Sequence, residues 1–513
     1  MIRIKIGLSA ILLLLLACSP EKALIKKARE MNTIEGYKNY LAEYEEGRYT
    51  EEAVQKISGI RFAHRRDSAF VSLIQKLKTG VKPAGAVLRI QPSDKVLMGT
   101  PVSVKLDHLP PNTTATLHAY RRRWGGLVYS FATFQSDPQG HILLDQLPPV
   151  QGTYTIADSL GIFWSMSWPA QKDKEMPFVI RELKENTVCF NLEIDHEVVS
   201  AKTLELMEKL PNIVTEQIHT DSLTAVFHYP ENQRNLPVLI LVAGGSKEEF
   251  DWNHRMTQII ASNGYASLSL PYNHIKPLPE YLEKVPLEYF FHAVDWVRQQ
   301  PVVDPQKIII AGGSRGGELA LLLGSMDPDI HGVVAISPSC VVWQGLPHNP
   351  FNLISPKAAW TFNGKDIPFM KHRIHWPTLW KIINGGGQIE MMYFHEKPLE
   401  DPSKIEQTRI RVENIMGPVL FIAGKDDRMW PSYAMCRMMQ QRLDSLQFGY
   451  PVQELYYEHA GHRVIAPDLM PTIDYQYEGT KFGGTDSGNA NAQIDAWKEM
   501  IGFLNTYFKE DGT

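Results

Sequence analysis

A serine, an aspartate and a histidine occur in this chain in the order and local settings that nucleophilic attack on an acyl carbonyl requires. Ser314 lies in Gly312-Gly313-Ser314-Arg315-Gly316, between the β-branched run Ile308-Ile309-Ile310-Ala311 and an apolar helix-forming run that opens at Glu318. A strand that turns at once into a helix holds such a serine in a strained backbone conformation. Its neighbours must be small for the two elements to pass closely. The hydroxyl then stands at the carboxyl end of a sheet, over a helix N-terminus that favours developing negative charge. A serine hydroxyl is a weak nucleophile at neutral pH, so it needs a base, and the base needs an orienting acid. For the acid, Asp426 and Asp427 compete in Gly424-Lys425-Asp426-Asp427-Arg428-Met429-Trp430, just after the run Val419 to Ala423. The Gly-x-x-Asp spacing favours Asp427. For the base, His462 follows a glycine that lets its loop turn sharply in Glu458-His459-Ala460-Gly461-His462, while His459, still close to a strand, reads as structural. The attacked carbonyl also needs preorganised donors for its oxygen. The Arg315 amide is one, and an amide of the Gly244-Gly245-Ser246 loop, from Gly245 or Ser246, is the other.

These residues need a frame, and the chain supplies one from about residue 215. Pro237 to Val242 is a continuous apolar run, as expected for a strand covered on both faces. Ala266 to Leu270, the run into the serine turn, Gly332 to Ile336, Val419 to Ala423 and Val452 to Tyr457 follow, with helical segments such as Tyr289 to Gln299 between them. This alternation predicts an α/β fold with a doubly wound, mainly parallel sheet. The serine turn has the nucleophile-elbow pattern of α/β-hydrolases, whose chain order is likewise Ser, Asp or Glu, His.

Upstream the period changes. Short alternating runs at Val87 to Ile90, Val102 to Leu106, Thr114 to Tyr120 and His141 to Leu144, separated by Pro and Gly turns, predict a β-sandwich. Arg121-Arg122-Arg123-Trp124 reads as a solvated strand end, with an anion-binding patch as the sharper alternative. Residues 21 to about 80 read as helical. Within them Tyr37 to Ala53 resembles a single tetratricopeptide-like hairpin, which one copy cannot extend into a solenoid, so a spacer or a pack-on element is expected. The divisions expected are 1–18 leader, 19–85 helical spacer, 86–205 sandwich and 206–513 catalytic domain.

The leader has Arg3 and Lys5, an apolar stretch Ile11 to Leu16, and Leu15-Leu16-Ala17-Cys18, which resembles a bacterial lipobox. It predicts cleavage before Cys18, lipidation of Cys18, and a lipid-anchored protein of the cell envelope, periplasmic or on the outer membrane. The other cysteines, Cys189, Cys340 and Cys436, have no CxxC pair or metal-ligand spacing. A net charge of −5 gives no electrostatic footprint for nucleic acid. No metal or redox cofactor is implied, and the expected partner is a small acyl substrate. The stretch 340 to 410, with Trp343, Trp360, Phe362, Trp376 and Trp380, suits an apolar substrate wall or packing on the domain's own core.

Several of these segments resemble one family, the acyl-CoA thioesterases and bile acid-CoA:amino acid N-acyltransferases. Gly312 to Ser325 is similar to its elbow and helix, Gly424 to Trp430 to its acid segment, and Ala460-Gly461-His462 to its histidine loop. Pro286 to Phe290, Ala492 to Trp497 and Asp158 to Met166 carry further likeness, the last to the end of its N-terminal immunoglobulin-like domain. The resemblance implies an immunoglobulin-like β-sandwich before the hydrolase domain, the second aspartate as the acid, and thioester or ester hydrolysis through an acyl-enzyme. In that family a serine nucleophile goes with hydrolysis and a cysteine with transfer to an amine. Acyl transfer to an amine or alcohol, and a non-catalytic ligand-binding lipoprotein, are the alternatives.

Overall fold

The computed structural model describes residues 20–123, 126–169, 178–242, 244–245, 249–272, 275, 278–346, 356–383, 389–468 and 479–509. The segment expected to be a leader, with Cys18, and Ser246 of the glycine loop lie outside the described residues. The chain divides into two compact units that interleave in sequence. The first comprises Met1–Arg89, Lys105–Asp158 and Met166–Lys202, and the second Ile90–Val104, Ser159–Ser165 and Thr203–Thr513.

Among the described residues of the first unit three helices come first: α1 (Pro20–Met31), α2 (Ile34–Glu43) and α3 (Thr50–Thr79). Thr33 caps α2 by accepting from the Gly36 amide. Ile25 and Ala28, Tyr37 and Tyr40, and Ala53 and Ile57 recur at helical spacing and close into one buried cluster. Further along α3, Phe70, Leu73 and Ile74 bury against Tyr120, Leu127, Tyr129 and Phe131. Those aromatics come from Thr114–Arg123 and Gly126–Gln135, an antiparallel pair whose first strand also pairs with Thr187–Ile194. Lys105 and Leu106 pair antiparallel with Leu143 and Ile142 in a separate short sheet. Arg121 and Arg123 are buried, which corrects the solvated strand end expected for this run. The strand continues through them and is paired on both sides at Arg121, whose guanidinium donates to Glu185 O at 3.0 Å.

The second unit holds an eight-stranded sheet. Its strands are β1 (Ile213–His219), β2 (Thr224–Pro230), β3 (Leu236–Val242), β4 (Ala266–Leu270), β5 (Val303–Gly313), β6 (Gly332–Ile336), β7 (Val419–Gly424) and β8 (Val452–Tyr457). They lie in the order β1-β2-β4-β3-β5-β6-β7-β8. β1 and β2 enter antiparallel, and from β4 to β8 every neighbouring pair is parallel. Every residue of β3, β4, β6 and β7 is buried, as parallel strands covered on both faces must be, whereas β8 at the edge is half-buried throughout. Among the described residues of this unit, its longer helices are α4 (Glu249–Ser262), α5 (Glu288–Arg298), α6 (Arg315–Met326), α7 (Trp376–Ile383), α8 (Ser432–Ser445) and α9 (Asp486–Phe508). This is the α/β-hydrolase arrangement. It brings the carboxyl ends of β5, β6 and β7, with the loops that follow them, to one edge of the sheet. Among the described residues no helix is long and apolar enough to cross a membrane.

Candidate active site

β5 ends at Gly313 and α6 begins at Arg315, so Ser314 alone makes the turn. Its φ of 56° and ψ of −121° lie where a non-glycine residue is strained. Small neighbours make the turn tolerable: a Cβ on Gly312 would sit 2.3 Å from Gly316 O, and one on Gly317 would sit 2.9 Å from Ile336 O. The Ser314 amide donates to Ile336 O at 2.9 Å, which pins the turn to the end of β6.

The next residue along that strand end holds the histidine loop. Ser337 Oγ donates to His462 O at 2.8 Å, so consecutive residues, Ile336 and Ser337, anchor the backbones of Ser314 and His462. His462 Nδ1 is 2.8 Å from Asp427 Oδ2. Asp427 is buried, and three other donors orient its carboxylate. Ser432 Oγ donates to Oδ2 at 2.6 Å, and the Met429 and Trp430 amides donate to Oδ1 at 2.9 and 3.3 Å. Because the carboxylate only accepts, Nδ1 of the histidine carries the proton, which leaves Nε2 free to act as a base. The indole of Trp430 donates to Ser337 O at 2.9 Å and meets the His462 ring edge-on, with centroids 5.9 Å apart.

The neighbouring aspartate does different work. Asp426 Oδ2 accepts the Gly484 amide at 2.9 Å, and its other oxygen pairs with Arg428. The Asp426 amide donates to Ala460 O, and that of His462 to Phe482 O. Residues 482 to 484 thus clamp the acid turn to the histidine loop. Gly461 makes the clamp sterically feasible, since a Cβ there would lie 2.3 Å from Gly483 O. Its amide donates to Asn489 Oδ1 at 2.8 Å. His459 sits in this scaffold through its carbonyl, which accepts the Thr485 amide at 2.9 Å. Ser337, Ser432, Phe482 and Asn489 escaped the sequence reading. Each is a single polar or aromatic residue far from the motifs it supports, and nothing in its local pattern marks it.

Gly245 faces the elbow: a Cβ built on it would be 3.4 Å from Arg315 Cγ. Tyr272 Oη donates to Gly244 O at 2.5 Å and fixes the loop from behind. Arg315 is itself buried. Its Nη1 donates to Glu318 Oε2 at 2.7 Å, and its Nη2 donates to Trp343 O at 3.1 Å and Gln344 O at 3.3 Å. Burial pushes the Glu318 carboxyl up to about 7, against the pull of the Arg315 guanidinium and of the Trp360 and Trp343 N–H donors. A carboxyl raised in the folded state binds protons that the unfolded chain has released. Its contribution is therefore present below the unfolded value of 4.5 and lost as pH rises towards about 7. Urea titrations should show the wild type losing about 3 kcal/mol over that window relative to Glu318→Gln, which lacks the titration. Parallel slopes in the two proteins would contradict this.

The aromatic residues of the stretch 340 to 410 divide. Trp343 and Trp360 are wholly buried, while Trp376 and Trp380 of α7 are 71% and 68% exposed. The first pair belongs to the core of the unit, as the packing reading of this stretch has it. Among the described residues no group of three or more side chains could hold a metal ion.

Two family profiles match the chain: the acyl-CoA thioester hydrolase/BAAT N-terminal region over residues 99–218, and the BAAT/acyl-CoA thioester hydrolase C-terminal region over 285–510. The second includes Ser314, Asp427 and His462. Human acyl-coenzyme A thioesterase 6 is 25% identical over 434 residues, covering 82% of this chain and 97% of its own. Mouse peroxisomal succinyl-coenzyme A thioesterase is 25% identical over 441 residues, again 82% and 97%. Among solved structures, the acylaminoacyl peptidase of Pyrococcus horikoshii aligns at 12% identity and a TM-score of 0.35, covering 84% of this chain and 63% of its own. An esterase of Pyrobaculum calidifontis aligns at 16% and 0.33, covering 58% and 87%.

Proposed function

Because the chain belongs to the acyl-CoA thioester hydrolase/BAAT family and is a hydrolase of the α/β fold, we propose that it cleaves an acyl thioester through an acyl-enzyme on Ser314. The observation that carries the proposal is the common anchorage at Ile336 and Ser337. It ties the serine turn, and the loop whose His462 pairs with Asp427, to consecutive residues at the end of one strand, which supports the reading.

Ser314 Oγ attacks the acyl carbonyl as His462 Nε2 takes its proton, and Asp427 stabilises the imidazolium through Nδ1–H. The carbonyl oxygen becomes an oxyanion and rests on the Arg315 amide and an amide of the glycine loop, with Gly245 the described donor. Collapse of the tetrahedral intermediate breaks the C–S bond, and the proton on His462 goes to the departing thiolate. His462 then activates water, which clears the oxygen ester and releases the acid. Hydrolysis is favoured over transfer because an ester on serine is readily cleared by water once a base is in place.

Purified protein lacking the leader, given acyl-CoA thioesters, matched oxygen esters and a thioester plus an amino-acid acceptor, separates the outcomes. The expected result is free thiol and free acid in equal amounts, with thioesters turned over faster than esters. Amide formed in place of acid would establish transfer, and turnover of esters alone would refute thioester specificity.

A further inference from the structure

A charged pair lies directly behind the serine turn. Arg315 and Glu318 stand three apart on α6, a spacing that on a helix surface contributes only a few tenths of a kcal/mol. Here their side chains are 5% and 0% exposed. Burying such a pair is no efficient way to stabilise a fold, since apolar residues of similar volume usually serve as well. Its contacts suggest another use. Glu318 Oε2 accepts from Arg315 Nη1 and from the Trp343 amide, while Oε1 accepts from Trp360 Nε1 at 2.9 Å. Trp360 packs edge-on against Tyr272, with centroids 5.3 Å apart, and Tyr272 Oη holds Gly244 O. One carboxylate thus reaches both sides of the space where an oxyanion would form. One route runs through Arg315 to the first amide of α6, and the other through Trp360 and Tyr272 to the glycine loop.

We infer that Glu318 is a positioning residue that sets the separation of the two oxyanion donors, the Arg315 amide and the amide of the Gly244–Gly245 loop. It touches no reacting atom and acts through Arg315 on one side and through Trp360 and Tyr272 on the other. Its worth lies in the transition state, because a donor displaced by a few tenths of an ångström still admits a planar carbonyl but fits the tetrahedral oxyanion poorly. The inference rests on Ser314 being the nucleophile.

The test uses Glu318→Gln, which keeps the shape and one acceptor but removes the ionisable carboxyl facing Arg315, and Tyr272→Phe, which removes one hydroxyl. For Glu318→Gln, kcat should fall about tenfold to a hundredfold with KM within about twofold. Affinity for a trifluoromethyl ketone substrate analogue, which forms a tetrahedral adduct on serine, should fall by a similar factor. Tyr272→Phe should show the same pattern, more weakly. The double variant should lose less than the product of the two single losses, because both act on one pair of donors. Unchanged kcat in folded Glu318→Gln would overturn the inference, as would a lower kcat with undiminished affinity for the ketone. Should Glu318→Gln fail to fold, Tyr272→Phe with full kcat and full ketone affinity would overturn it equally. Failure of the nucleophile reading is distinguishable: there Ser314→Ala keeps its activity, whereas failure of this inference alone leaves Ser314→Ala inactive beside a fully active Glu318→Gln.

Discussion

Ser314→Ala is expected to lower kcat for a thioester by about 10⁴- to 10⁶-fold while KM stays within a few-fold. The substitution removes the hydroxyl that, on the proposed mechanism, forms the bond to substrate. It leaves the Ser314 amide bonded to Ile336 O and leaves the His462–Asp427 pair and its scaffold intact. Alanine inherits the positive φ with no larger steric demand than serine, so the thermal unfolding midpoint should move little. The remaining rate should exceed that of free solution, because preorganised donors act on any nucleophile that reaches the carbonyl. Steady-state kinetics with a thiol-release assay, alongside a melting curve, read both quantities. A variant that folds and retains more than a hundredth of the activity would mean that Ser314 is not the nucleophile.

Asp427→Asn should cost about 10⁴-fold in kcat, because an amide opposite Nδ1 favours the tautomer that places the proton on Nε2, where the base must be free. The nearly isosteric amide preserves the shape of a group that also receives the Ser432 hydroxyl and the Met429 and Trp430 amides. The informative control is its neighbour. Asp426→Asn leaves the His462 pairing untouched and removes the charge facing Arg428, so kcat should stay within about tenfold while the clamp at Gly484 weakens. The opposite ranking of the two variants, measured in the same assay, would assign the acid to Asp426.

The two aspartates show where sequence reasoning reaches its limit. Adjacent residues in a turn point in different directions, and spacing alone ranks them without separating them. The structure turns Asp427 to His462 and Asp426 to Gly484. The serine turn, by contrast, was legible because all its requirements are local: a β-branched run, small residues around one serine, and a helix former. The parallel sheet was legible for a similar reason, since strands buried on both faces have to be apolar at every position. Contacts that join distant segments were not legible. Arg315 and Glu318 look like an ordinary surface pair, and only the sheet and the indoles of Trp343 and Trp360 make them a buried one. The run Arg121 to Arg123 misled for the same reason: charge suggested a solvated end, while pairing on both sides carries the strand onward beneath cover. Trp343 and Trp360 could not be told from Trp376 and Trp380 by composition, yet two are core and two are surface.

The central claim is that the acyl group passes through Ser314. Acid-quenching the protein during turnover of a slowly hydrolysed acyl thioester, followed by mass spectrometry of its peptides, tests it directly. The account predicts the mass of the acyl group on the peptide containing Ser314, absent without substrate and absent in Ser314→Ala. Active protein with no acylated peptide at any quench time, under conditions where thiol release outpaces acid release, would contradict it, as would an acyl group held on any other residue.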